Sequence, residues 1–177
     1  MIKLNIFIFL ILFVFSKNLS STNIVVIDVE NLVDTNNQFI EIINDIEISQ
    51  NNFSEILEKE ELRINNLYNE IEDSKILLDQ NSINKMIENY NFELNNLNNT
   101  IENFNKHYND QIIRNRKLIF EQIIVLVENY AKDNNIDLII DSNSYLIASN
   151  SINITDVIKK GLNNINLKLE FEKFEKN

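Results

Sequence analysis

The sequence predicts an α+β protein, mainly helical: a long antiparallel coiled-coil hairpin mounted on a small sheet-bearing body. Three observations carry that reading. An apolar seam runs out through the middle of the chain, stops at a polar break and runs back. Short β-branched runs occur only on either side of that hairpin. Proline is absent and glycine occurs once, at Gly161, so helices can run long without interruption.

The outgoing seam is Phe39, Ile43, Ile46, Gln50, Phe53, Leu57, Glu60, Ile64, Leu67, Ile71, Ser74 and Leu78. Its steps alternate between three and four residues, which places it on one stripe of a helix. Asp79-Gln80-Asn81-Ser82 is a polar break suited to a tight helix-to-helix turn. The return seam is Ile83, Ile87, Tyr90, Leu94, Leu97, Ile101, Phe104 and Tyr108. At 1.5 Å per residue each arm reaches roughly 60 Å, too long and thin for a compact globule. Beyond Tyr108 the seam steps to Ile112, Ile119, Ile123, Leu126 and Tyr130, a stutter that locally unwinds a supercoil. Phe120, Ile124, Val125 and Val127 add apolar surface on other sides, as expected where the helix enters the body. Asp133-Asn134-Asn135 ends it.

The body is split between the two ends of the hairpin. Ile24-Val25-Val26-Ile27-Asp28-Val29 reads as a buried strand, with a helical turn at 30–33. Residues 136–141 and Tyr145-Leu146-Ile147-Ala148 read as two further strands, separated by Ser142-Asn143-Ser144. Thr155 or Asn153 caps a short helix over 156–160, with Gly161 near its stop. Three short strands make a meagre core, which oligomerisation would rescue. Residues Ile24, Val26, Leu138, Ile140 and Leu146 are the candidates for that oligomerisation body. The tail from Leu167 to Phe174 alternates apolar and charged residues and fits either an edge strand or a continuation of the last helix. Loops that need positive backbone angles must use asparagine, which is abundant. The Asn- and Ile-rich composition itself matches A/T-rich codons rather than a function.

The first residues read as an export signal. Lys3 supplies a positive region, residues 6–15 are continuously apolar, and 16–21 turn polar and small. The apolar run is too short for an ordinary membrane span, and an uncleaved membrane anchor is the competing reading. The domain layout is therefore a signal peptide over 1–21, a body over 22–35 and 112–165, an arm over 36–111 and a tail over 166–177. With no cysteine there is no disulfide framework, thiolate metal site, cysteine nucleophile or lipid attachment.

Net charge is −11. A nucleic-acid binder concentrates basic residues on one face, and only Arg114, Arg116 and Lys117 cluster here, amid acidic excess. No catalytic constellation is present. His107, the single histidine, falls beside Tyr108 and reads as a surface residue. Asp137 and Asp141 share a strand face without a base or nucleophile and read as rim or turn-capping groups. One glycine cannot build a phosphate loop. No cofactor or metal site is expected.

The stretch Tyr130-Ala131-Lys132-Asp133-Asn134-Asn135-Ile136-Asp137-Leu138-Ile139-Ile140-Asp141-Ser142-Asn143 resembles the signature of the Skp/OmpH family of periplasmic chaperones. The family's downstream "D-I-T" helix is matched by Asn153-Ile154-Thr155-Asp156-Val157-Ile158-Lys159-Lys160. Its opening strand and turn are matched by Ile24-Val25-Val26-Ile27-Asp28-Val29-Glu30-Asn31-Leu32-Val33. The resemblance runs from about Asn23 to Leu162 and rests on the order of these pieces around the hairpin. It implies a homotrimer whose sheets form a β-core, with three helical tentacles around a cavity that holds unfolded outer-membrane β-barrel proteins without ATP. Two departures stand out. Family members are strongly basic whereas this chain is acidic, and its turn carries no positive charge, so attraction of the tips to a membrane surface is not expected. The tail also extends past the usual end.

A holding chaperone uses weak, adaptable contacts, and seam residues are consumed by the partner helix. Ile48, Ile56, Leu62, Tyr68, Ile76, Met86 and Phe92 lie off the seam and are the candidate client contacts. The alternative reading is an exported coiled-coil spacer or envelope adaptor, which would leave few apolar residues off its seam.

Overall fold

The computed structural model describes residues 22–175. The expected export signal lies outside the described residues. The element order is β1 (Ile24–Ile27), α1 (Val29–Asp34), α2 (Asn37–Ser74), α3 (Gln80–Asn134), β2 (Leu138–Asp141), 3-10 turns at Ser142–Ser144 and Asn150–Ile152, and α4 (Thr155–Asn163). At 1.5 Å rise, the 38 residues of α2 span about 57 Å and the 55 of α3 about 82 Å. α2 and α3 fold back on each other as the hairpin, and the lower part of α3 continues into the body.

The first three helices each begin on a side chain that replaces missing intrahelical acceptors. Asp28 accepts from the Asn31 amide at 2.9 Å, and Asn36 from the Phe39 amide at 3.1 Å. Asp79 accepts from the amides of Asn81 and Ser82 at 2.9 and 3.1 Å. α3 stops at Asn135, whose φ of 50° and ψ of 49° are left-handed, so asparagine does serve where glycine is missing.

The hairpin turn is displaced from its expected place. Instead of forming the turn, the polar run 79–82 opens the return arm: Asp79 is the cap, and Gln80, Asn81 and Ser82 form the first turn of α3. The reversal is made by 75–78, leaving Ile76 and Leu77 almost fully exposed. A capping aspartate with two amides in reach nucleates a helix, so the polar residues start the return arm rather than end the outgoing one.

The sheet is smaller than expected. β1 and β2 pair in parallel, in the register Ile24↔Leu138, Val25↔Ile139, Val26↔Ile140, Ile27↔Asp141. The whole hairpin is the crossover between them. The third strand expected over 145–148 is absent: these residues join the two 3-10 turns, and Leu146 and Ile147 are 101% and 91% exposed. In its place Asn153 forms an isolated bridge to Val26, with the Ile154 amide donating to the Val26 carbonyl at 2.9 Å. Neither Asn153 nor Thr155 is the N-cap residue of α4, which is Ile154. Asn153 still accepts from the Thr155 amide at 2.9 Å, while the Thr155 hydroxyl accepts from the Asp28 amide.

The core at the base joins all these elements. Val25 and Ile27 from β1, Leu32 from α1, Ile119 and Ile123 from α3 and Leu162 from α4 are buried together. Fully burying such a side chain contributes about 1.5–3 kcal/mol. A second cluster, Ile42, Ile46, Phe53, Phe104 and Tyr108, fills the lower hairpin. The Phe53 and Phe104 rings stack with centroids 3.8 Å apart. Nearer the tip only Ile64, Ile71 and Ile83 are buried.

Candidate functional site

The outgoing seam is shifted at its start. Ile42 and Ser49 are buried in place of Ile43 and Gln50, with Ile43 half-buried and Gln50 exposed. Further along, Phe53, Ile64 and Ile71 are buried at their expected seam positions. Leu78 belongs to the exposed reversal.

The candidate client contacts all lie on α2, α3 or the reversal between them. Ile48, Ile56, Leu62, Tyr68, Ile76 and Phe92 are exposed, and Met86 is half-buried. They form no single concave site. They are distributed along the arm, and Tyr68 leans against Tyr90 with centroids 6.0 Å apart. Arg63 ties the two arms, donating to Glu93 at 2.6 Å and to Glu60 at 2.9 Å. These two hydrogen bonds, Glu93 first, hold the guanidinium further toward its charged form. Asp79 is held below the usual carboxylate range, first by the Ser82 hydroxyl and then by the Ser82 amide.

Four of the five body candidates share one face of the sheet: Ile24, Val26, Leu138 and Ile140 alternate with Val25, Ile27 and Ile139, which point into the core. Val26 is nonetheless buried beside the bridge to Asn153, Ile140 is half-buried, and Ile24 and Leu138 are exposed. Leu146, outside the strands, is exposed.

Asp137 and Asp141 are capping groups. Asp137 accepts from the Asn23 amide at 2.8 Å, and Asp141 from the Val29 amide at the start of α1 at 3.2 Å. Arg116 pairs with Asp34 at 2.5 Å and lies over the Phe39 ring, while Lys117 faces Glu121 at 3.9 Å. Among the described residues, no group of three or more His, Asp or Glu side chains is placed to hold a metal. No helix among them is long and apolar enough to cross a membrane.

What sequence reasoning missed is the tail. Residues 166–175 form neither an edge strand nor a longer helix; they lie along the lower hairpin without regular structure, with a turn at Lys168, whose φ is 51° and whose amide donates to the Asn166 side chain at 3.1 Å. Gln111 is fully buried and Asn115 nearly so, although the expected seam passes through Ile112. Gln111 donates to the Glu172 carbonyl at 2.9 Å and accepts from the Glu172 amide at 2.8 Å. Asn115 does the same for Glu170, at 2.9 and 3.2 Å. Gln38 donates to the Ile165 carbonyl at 2.8 Å and accepts from the Leu167 amide at 3.0 Å. The Tyr108 hydroxyl accepts from the Phe174 amide at 3.0 Å. His107, expected on the open surface, is half-buried, with Nε2 2.8 Å from the Glu172 carbonyl. The available signal was the spacing of Gln111 and Asn115 on the stripe of Tyr108 and Ile119.

The model of the family "Outer membrane protein (OmpH-like)" matches residues 23–162, which is most of the chain. The chain belongs to the OmpH-like family. A solved structure described as an OmpH-like outer membrane chaperone from Caulobacter crescentus superposes with a TM-score of 0.71 at 10% identity. The match covers 89% of this chain and 94% of that one, and at this identity it shows a shared fold. No curated protein matches. The family match ends at Leu162, so the docked tail of this OmpH-like chain lies beyond it.

Proposed function

We propose that this OmpH-like chain is an ATP-independent periplasmic holdase that sequesters unfolded outer-membrane proteins between helical arms. The observation that carries this reading is the arm itself. Much of its seam packs against the partner helix, yet Ile48, Ile56, Leu62 and Phe92, off that seam, remain about half or more exposed along its length. A spacer has no use for such residues, and scattered apolar contacts without a fixed pocket suit clients of many sequences. The family and the shared fold with a described outer-membrane chaperone support the same reading.

In this mechanism three copies associate through the open faces of their sheets, and the arms enclose a cavity. Each arm contributes weak contacts that add by avidity. Release follows from folding of the client into a membrane, with no energy-consuming cycle. With a net charge of −11 the chain as a whole does not attract acidic clients, so in this reading retention rests on apolar contact.

The test uses residues 22–177, with mass in solution measured alone and after dilution of a urea-unfolded outer-membrane β-barrel protein into the sample. A trimer that keeps the client soluble in a defined complex is expected. A trimer beside an aggregated client would refute the holdase reading, and a folded monomer would refute the cavity.

A further inference from the structure

We propose that Gln38, Tyr108, Gln111 and Asn115 form a peptide-binding groove that reads main chain, occupied in cis by the chain's own residues 165–174. Its ligand in trans is an extended segment of an unfolded protein with apolar side chains at alternate positions and an aromatic near one end. The identity of that ligand rests on the holdase reading; the groove does not.

The groove matches an extended chain in three respects. The first is spacing. Gln111 and Asn115 stand four residues apart on α3, a rise of about 6 Å. Their targets Glu172 and Glu170 stand two residues apart in an extended segment, a rise of about 6.6 Å. The tail therefore runs antiparallel to α3, with one amide side chain per two tail residues.

The second is chemistry. Each of these two amides engages both the N–H and the C=O of one tail residue, as an opposed residue does in an antiparallel ladder. Backbone is common to every sequence, so this recognition is sequence-tolerant. The side chains of Glu170 and Glu172 themselves carry none of it and are exposed.

The third is the wall. Leu167 is buried and Leu169 and Phe171 are half-buried, while Lys168, Glu170 and Glu172 face outward. Phe171 lies parallel to Tyr108, and Phe174 meets Phe104 edge-on with centroids 5.2 Å apart. A cavity of about 210 Å³ remains open beside Phe174, lined by Phe53, Ile56, Phe104 and Tyr108. It has room for a side chain bulkier than phenylalanine.

Undocking the tail exchanges the hydrogen bonds of Gln111 and Asn115 for hydrogen bonds to water and opens the apolar wall beside them to solvent. The docked tail keeps that wall covered at rest. An extended client segment can restore the paired hydrogen bonds of Gln111 and Asn115, so at those two positions exchange of tail for client is close to balanced in polar terms. The tail acts as a placeholder that a client displaces.

The chain has no cysteine, so Glu175→Cys places a single fluorophore on the tail of the otherwise intact chain. Three synthetic peptides are added: the sequence of residues 165–177, an unrelated sequence with the same alternation and a phenylalanine, and its scrambled form without alternation. Both alternating peptides are expected to lower the fluorophore's anisotropy in a saturable way, and the scrambled one not. Labelled peptide should bind the Phe174→Ala chain about tenfold tighter, because self-competition is relieved. It should bind Asn115→Leu and Gln111→Leu chains at least about tenfold weaker, because the groove is damaged although the tail is released.

An unchanged anisotropy at saturating peptide overturns the proposal, as does equal peptide affinity for the Phe174→Ala and Asn115→Leu chains. Aggregation of a urea-unfolded β-barrel protein is followed with the same samples. Suppression without tail displacement leaves the holdase reading standing and sinks the groove. Tail displacement without suppression keeps the groove and sinks the holdase reading.

Discussion

Single residues decide two features of this chain in opposite ways. Asn135 holds the left-handed conformation that ends α3, its amide bonds the Ala131 carbonyl, and its carbonyl accepts from the Asn23 side chain at 3.0 Å. Substitution by alanine adds the left-handed cost of an ordinary residue, so Asn135→Ala should lose about 1 kcal/mol. Asn135→Gly should stay within a few tenths of a kcal/mol of the parent. Urea unfolding of both variants checks the order. This role was legible in the sequence, because a chain with one glycine must turn on asparagine. Gln111 and Asn115 were not legible. A polar residue on a helix reads as solvated unless its partner is known. The partners of Asn115 and Gln111 lie 55 and 61 residues away in a segment without regular structure.

At the scale of elements, start signals were more legible than their consequences. Asp79 reads in sequence as part of a turn, yet it fixes where α3 begins. Hydrogen bonds from Ser82 and Asn81 lower its folded pKa relative to an unfolded aspartate near 3.8. The stabilisation is therefore fully present above that unfolded value and is lost as pH falls through the lower folded one. Amide exchange at Asn81 and Ser82 should accelerate selectively in acid below about pH 4, and Asp79→Ala should abolish that dependence. α4 offers a second test. Gly161 lies inside it, and an added Cβ would sit 3.3 Å from the Cδ2 of Leu126. Leu126 is half-buried and its terminal methyl can turn away, so the gain in helix propensity should prevail. Gly161→Ala should stabilise by about 0.5 kcal/mol, read as a raised Tm. The strand expected over 145–148 failed for a related reason: β-branched and aromatic content marks a segment that can be extended, and only available sheet edges decide whether it pairs.

At the scale of the whole molecule, the hairpin and the split body follow from seam periodicity and from the placement of strands on either side of it. Periodicity describes surfaces that meet within one chain and is silent on those left over. The leftover surface here is one face of the small sheet. Ile24 and Leu138 are directly opposed in register and exposed at 38% and 48%, and Leu146 and Ile147 project into solvent from the segment that follows β2. A two-stranded sheet that leaves Ile24 and Leu138 uncovered is marginal alone, and on the proposed assembly further copies packed on that face would supply the missing core. Leu138→Asp places a charge on that face without touching the buried side of β2. The variant should keep the helical content of the parent yet sediment as a smaller species at the same concentration. Leu146→Asp should do the same, whereas a change on the arm, such as Leu62→Asp, should leave the mass unchanged. An unaltered mass for Leu138→Asp would move the contact between copies off the sheet and leave the arms without a shared base to enclose a client.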